Sequence, residues 1–367
     1  MARVVRQGRR ITLRLLWALI LGLPLLAITF EVWLALAWQV TLRGAEGRRL
    51  RSPNVSDVDG PANRRTQSLW AIPWRQYRPN AFLDLPVGRD HFVVRINSQG
   101  FRGPEFSVTK PTGTFRIVCV GGSTTFQGRS NEETYPALLE RRLQAKYPQL
   151  KIEVLNLGIS GLTSDYWLER SAYLFRLQPD VVLQYEGVND IAWRALPTFA
   201  MKNPWLRKAH ASFLLQHLLP VEPEELDPYF SVTVENQVRL ADLSRQHGAV
   251  HFAGSFAGPD YERAPRDFQQ YLDVNVAAWT SNSARLSGYR AYARLLDRYN
   301  RSFEQARASG RVRGPLVHRQ LGDPGLFVDL CHLTQAGLLR LAEAFVPAVS
   351  AAIESRPASS PATPGGS

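Results

Sequence analysis

Ile117-Val118-Cys119-Val120-Gly121-Gly122-Ser123-Thr124-Thr125 is the stretch on which the reading of this chain turns. An apolar, β-branched run stops at two glycines and a serine, and a helix-like segment follows. A strand covered on both faces need not alternate apolar and polar residues, so the first half reads as a buried strand. Glycine lacks a Cβ, so it turns tightly and lets a substrate come close. Ser123 then stands at the carboxyl end of a strand, where open α/β sheets place their ligands.

Other readings compete for the same loop. A phosphate-binding P-loop needs four residues between its glycines and then a lysine; here five separate Gly122 from Gly128, and Arg129 follows. The α/β-hydrolase elbow needs glycine two places after the serine, where Thr125 stands. A plain strand-to-helix turn with Ser123 as the helix cap fits the loop equally well by itself. The rest of the chain has to separate nucleophile from cap.

At 367 residues the chain is long enough for a full core with an anchor and an accessory segment besides. Its net charge of +12 comes mostly from scattered arginines, and beyond the N-terminus no basic run interleaved with aromatics suggests nucleic acid. The two cysteines, Cys119 and Cys331, could at most pair with each other, and Cys119 reads as a small core residue.

Residues 1–14 form a basic flank with five arginines, and residues 15–42 follow as an apolar stretch interrupted only by Glu31. Spanning hydrocarbon takes about 20 residues, so this reads as a transmembrane anchor with Glu31 near the outer interface. The basic flank predicts a cytoplasmic N-terminus and an extracytoplasmic (periplasmic) remainder. A cleaved signal peptide ending near Ala35-Leu36-Ala37 is the alternative. Residues 43–113 form a linker or accessory layer in which Phe92–Ile96 reads as a strand and Asn97–Gly103 as a turn. Residues 114–355 form the main domain, and residues 356–367, rich in Pro, Ser, Ala and Gly, read as a disordered tail.

From Thr114 strands alternate with helices: the strand through Ile117–Val120, strands at 151–156, 180–186 and 249–253, and helices at 135–147, 163–177, 284–308 and 334–353. That order predicts a parallel sheet with right-handed crossovers. Four polar blocks then fall at strand ends: Gly121–Ser123, Asn156–Ser164, Glu186–Asp190 and Asp329–Thr334. Acyl transfer needs such parts. A serine hydroxyl attacks only if a base takes its proton, and His332 suits that role. Asp329, three residues earlier, can hold the other imidazole nitrogen. The backbone N–H groups of Ser123 and Gly161 and the Asn189 amide can form an oxyanion hole. Taken singly, Gly161 also reads as a turn glycine, Asn189-Asp190 as a helix cap, and Asp329 with His332 as a surface pair.

The four blocks together resemble the SGNH (GDSL-type) hydrolase superfamily, with Ser123, Gly161, Asn189 and His332 matching its four named positions and Asp329 its Asp-x-x-His acid. The resemblance covers residues 114–350 and departs at Gly122, where the Gly-Asp-Ser form carries an aspartate that is not the catalytic acid. The Gly-Gly-Ser-Thr-Thr form, preceded by Asn97-Ser98-x-Gly100-Phe101-Arg102, is similar to membrane-tethered bacterial members. The resemblance implies a flavodoxin-like three-layer sandwich around a central parallel sheet. It also implies esterase, lipase, thioesterase or carbohydrate O-acetyl esterase or transferase activity, with catalytic Ser123, Asp329 and His332.

The expectation is a membrane-anchored, extracytoplasmic serine esterase that removes O-acyl groups, acetyl above all, from a glycan or lipid. An O-acyltransferase to a sugar acceptor with the same residues, and a noncatalytic glycan-binding or assembly protein, remain alternatives. No cofactor or metal is expected, since Gly248 and a strand onset spoil a shared face for His247 and His251, and His217 and His318 have no partner pattern. Trp193, Trp205, Tyr229, Tyr261 and Trp279, in the insertions between blocks, read as core residues or as sugar or acyl contacts.

Overall fold

An apolar helix, α1 (Ile20–Ala37), comes first in the computed structural model, which describes residues 20–37, 40, 69–72, 75–87, 90–210, 212–280 and 286–356. With a mean hydropathy of 2.1 and none of its 18 residues buried, α1 is long and apolar enough to cross a membrane. The basic flank, residues 15–19 of the expected anchor, most of residues 38–68 and the tail beyond residue 356 lie outside the described residues.

Two antiparallel hairpins follow: β1 (Trp70–Ile72) with β2 (Gln76–Tyr77), and β3 (Phe82–Val87) with β4 (Asp90–Arg95). Then come β5 (Thr114–Gly121), α2 (Ser123–Phe126), α3 (Tyr135–Lys146) and β6 (Lys151–Gly158). After them run α4 (Tyr166–Glu169), α5 (Ser171–Arg176), β7 (Val181–Tyr185) and α6 (Val188–Asp190). An insertion carries α7 (Leu196–Lys202), α8 (Pro204–Ala209), α9 (Phe213–Leu218) and α10 (Pro223–Phe230). The chain closes with α11 (Val232–Gln246), β8 (Val250–Ala253), α12 (Arg266–Trp279), α13 (Tyr289–Ala308) and α14 (Gln335–Glu354).

The main sheet has the order β6-β5-β7-β8, and all its pairings are parallel. Beyond β8, Arg313–Pro315 extends the row: the N–H groups of Ala253 and Ser255 donate to the carbonyls of Arg313 (2.8 Å) and Pro315 (3.2 Å). Pro315 has no N–H, which keeps this edge short. Strand order 2-1-3-4-5 is that of the flavodoxin-like sandwich. All eight residues of β5 are buried, yet the strand period still sorts them. Phe115, Ile117 and Cys119 pack in one core with residues of α3, α13 and α14. Val118 and Val120 pack in a second core with residues of α4, α5 and the two hairpins.

Several sequence expectations need correction. The helix expected over 163–177 is two short ones, α4 and α5, because Ser164 is held by Asp190 and the chain turns at Arg170. The helix expected from Ala284 starts at Tyr289, after Gly288 at φ +155°. Of the accessory segment 43–113, Trp70, Tyr77, Phe92 and Phe101 share the second core with the sheet. The helices of the insertion, α11 and α12 have no counterpart in the sequence reading. Tyr229, Tyr261 and Trp279 pack against the core as expected, whereas Trp193 and Trp205 stand 40% and 62% exposed.

Candidate active site

The end of β5 is shaped by close approach. A Cβ on Gly121 would lie 2.3 Å from the Thr125 hydroxyl and 2.5 Å from the Tyr185 carbonyl, so no larger residue fits this turn as built. The chain then enters α2 with Ser123 as its first residue. The first amides of a helix have no intrahelical partner and face outward, which leaves the Ser123 N–H available to a developing negative charge.

His332 arrives from the loop before α14. Its Nε2 lies 2.8 Å from Ser123 Oγ, across 209 residues of sequence, and its Nδ1 lies 2.7 Å from Asp329 Oδ2. The other carboxylate oxygen, Oδ1, accepts from the N–H groups of His332 (2.7 Å) and Cys331 (2.9 Å). All three side chains are buried. Burial alone would raise the Asp329 pKa, but the His332 charge and these donors outweigh it and hold it down at about 2. Burial likewise opposes charge on the imidazole, yet the Asp329 carboxylate, with Cys331, raises the His332 pKa well above its ordinary value. The Leu333 N–H donates to Gln127 Oε1 at 3.1 Å, which ties the histidine loop to the end of the serine helix.

The other two blocks close the site. Asn189 lies in α6, just past β7, and donates through Nδ2 to the Leu162 carbonyl (2.9 Å), leaving its second N–H for another acceptor. A Cβ at Gly122 would fall 2.6 Å from that Nδ2, so the glycine that replaces an aspartate in this chain makes room for the amide. Gly161 takes φ +80°, a left-handed turn, in the loop next to Leu162. This loop is pinned from below: Asp190 accepts from the Ser164 N–H (3.1 Å) and hydroxyl (2.8 Å) and pairs with Arg194. The structure therefore brings Ser123, His332 and Asp329 into one hydrogen-bonded row and sets Asn189 against the Gly122 backbone.

Three contributors were not found in the sequence. Arg102 is fully buried; it donates to the carbonyls of Phe126 (2.8 Å), Gly128 (2.9 Å) and Val93 (3.0 Å), gripping the exit of the serine helix. Its signal was the Asn97–Arg102 turn, noticed in the sequence but with no role attached. Tyr77 stacks on Phe126 with ring centres 4.7 Å apart and accepts from the Ser160 N–H at 3.0 Å. Arg75, from the same hairpin, lines a cavity of about 250 Å³ beside Gly161 and Leu162, together with Asp165, Glu169 and Trp193. No local pattern marks either residue.

The two cysteines are buried and form no disulfide, so the bridge that their number allowed is not formed. Asp329, Cys331 and His332 have potential metal-ligand atoms within 4.8 Å of one another, but the first and last already satisfy each other. His247 stacks on Phe175, whereas His251 lies in β8 against Gln184, so the pair expected not to share a face does not.

A buried serine, histidine and aspartate in this order can transfer an acyl group: proton removal by Nε2, alignment by the carboxylate. Sequence comparison agrees with that chemistry. The profile of the GDSL-like lipase/acylhydrolase family matches residues 119–337, and the chain belongs to that family. It is a serine hydrolase acting on ester bonds. No curated protein matches the chain. Among solved structures it is similar to LAE5, an α/β hydrolase enzyme from the metagenome of Lake Arreo, Spain (19% identity, 64% of this chain and 95% of that one, TM-score 0.40). Two others are Axe2, an acetylxylan esterase from Geobacillus stearothermophilus (19%, 64% and 93%, TM-score 0.39), and a carbohydrate acetylesterase family member from Sinorhizobium meliloti (14%, 65% and 99%, TM-score 0.41).

Proposed function

We propose that this protein is a membrane-anchored, extracytoplasmic serine esterase that removes O-acyl groups, acetyl first among them, from a glycan. The row Ser123–His332–Asp329, with contacts of 2.8 and 2.7 Å, carries the reading. Ser123 Oγ attacks the ester carbonyl as its proton passes to His332 Nε2, and Asp329 steadies the imidazolium through Nδ1–H. The oxygen that turns negative is received by the N–H groups of Ser123 and Gly161 and by Asn189 Nδ2, each worth about 3 kcal/mol in the barrier. Collapse of the tetrahedral adduct breaks the C–O bond. His332 returns its proton to the departing sugar hydroxyl, and the acyl group stays on Ser123. Water then attacks by the same route and releases the acid.

The cavity next to Gly161 supports a glycan over a lipid chain, because an aromatic ring with carboxylates and a guanidinium suits a sugar's faces and hydroxyls better than methylenes. The apolar helix α1 supports the tether. The test is hydrolysis of nitrophenyl esters of rising acyl length, and of an acetylated oligosaccharide, by wild type and Ser123→Ala. Turnover of acetyl esters that disappears in the variant is expected. Undiminished turnover in Ser123→Ala refutes the mechanism, and absence of fluorophosphonate labelling at Ser123 favours a binding protein. Partition of the acyl group to an added sugar instead of water would make the enzyme a transferase.

A further inference from the structure

Outside α1, the large exposed apolar side chains among the described residues include Val40, Ile72, Phe82, Trp193 and Val232, and four more fall within one stretch of the chain. Met201, Trp205 and Leu218 are 68%, 62% and 63% exposed, and Leu215 is 37% exposed, all within α7 to α9. Exposed Lys202, Arg207 and Lys208 lie among them. Single apolar residues are common on a surface, but a cluster of this kind marks an interaction site.

The anchor itself points to what covers it. Glu31 accepts from the Ser212 hydroxyl and from the Leu214 N–H, both at 2.9 Å, so a carboxylate of α1 caps the first turn of α9. Glu31 lies in the second half of α1, on the side away from the basic N-terminal flank. This placement explains a charge in an otherwise apolar helix: the carboxylate has donors and sits near the interface.

We propose that the segment from α7 to α9 rests on the bilayer surface beside α1, with Met201, Trp205, Leu215 and Leu218 at the acyl boundary and the basic side chains on anionic lipid phosphates. The occupant is lipid and not a second protein, because the patch continues directly from the helix that enters the membrane, and its charges are all of the sign that anionic headgroups attract. This inference rests on the reading of α1 as an anchor, and the experiment separates the two.

Full-length protein is reconstituted in phosphatidylcholine vesicles, with or without phosphatidylglycerol. A fluorophore is placed in turn on Leu25→Cys, Trp205→Cys and Arg340→Cys; the native cysteines are buried and do not compete for the label. Doxyl lipid is expected to quench positions 25 and 205 but not 340, and iodide to quench 340 several-fold more than 205. Phosphatidylglycerol should deepen lipid quenching at 205 roughly twofold, and Lys202→Gln/Arg207→Gln/Lys208→Gln should abolish that increment. Lipid quenching at 25 with iodide access at 205 equal to that at 340 overturns the docking face and leaves the anchor. No lipid quenching at either 25 or 205 overturns the anchor and the docking face together. A quenched position 205 that ignores phosphatidylglycerol overturns the role of the basic residues.

Discussion

At position 122 the space of one methyl group is taken by the Asn189 side chain. The Asn189 amide fills the space that a Cβ would take, 2.6 Å from Nδ2, so Gly122→Ala has to push the amide away from the place where charge develops. Loss of one oxyanion donor costs 10²–10³ in kcat, and Gly122→Ala is expected to fall by about that factor with its melting temperature nearly unchanged. Single-turnover kinetics beside a thermal melt check it. Asp329 gives the second residue-scale prediction. In the proposed mechanism only neutral His332 accepts the serine proton, and the carboxylate raises the imidazole pKa. Activity should therefore rise with pH, with its acid limb on the alkaline side of an ordinary histidine. Asp329→Asn removes the raising charge, so the limb should move to lower pH while the plateau falls about 10⁴-fold through the wrong tautomer. A pH–rate profile whose limb stays in place in the variant contradicts the assignment.

Individual elements are held to the sheet by polar clamps that no period reveals. Arg102 is the clearest: its guanidinium meets three backbone carbonyls, one at the last residue of α2 and one two residues beyond it. Burial pushes its pKa down to about 9, so it still carries charge at neutral pH. Arg102→Leu would leave those carbonyls buried and unpaired, at about 1–3 kcal/mol each. A destabilisation of about 3 kcal/mol or more is expected in a denaturant melt. Arg102→Lys should recover only part of it, since one ammonium cannot fork to three acceptors. The sequence made the strands of the main sheet legible because they are short runs rich in apolar and β-branched residues that stop at or near a glycine. It made three of the polar blocks legible because they follow β5, β6 and β7, while the fourth opens α14. It showed one strand of the second hairpin, β4, at Phe92–Ile96, but not the first hairpin, where Trp70 packs on Tyr77 and Tyr77 in turn meets Phe126 and Ser160, far away in the chain. The break at Arg170 was hidden for the same reason, since the tie from Ser164 to Asp190 is tertiary.

For the molecule as a whole, the buried carboxylates behind the site set how stability follows pH. Glu186 follows β7 and is fully buried; burial first, and the neighbouring Asp190 charge second, push its pKa up to about 8 from an ordinary 4.5. Asp190 is raised for the same leading reason, burial, to about 6 from 3.8, although Arg194 and Ser164 oppose the rise. A carboxyl with a raised folded pKa keeps a proton that the unfolded chain gives up. Stability therefore falls as pH rises from the unfolded value to the folded one, and then levels off. For Glu186 that window runs from about 4.5 to about 8, and the loss across it is on the order of a few kcal/mol. Asp329 has the opposite sign: its pKa of about 2 means that its contribution is lost only as the solution is acidified from 3.8 towards 2. The melting temperature of the full-length protein should accordingly be highest in mild acid and decline towards pH 8. Glu186→Gln keeps an oxygen for the Gln184 amide, which donates to the Glu186 carboxyl, and removes the titration. It should flatten the decline and leave the variant more stable than wild type at pH 8 but not at pH 4.5. Parallel melting curves for the two proteins across that range would mean that Glu186 is ionised without penalty, and that its side chain is solvated in a way the buried geometry does not allow.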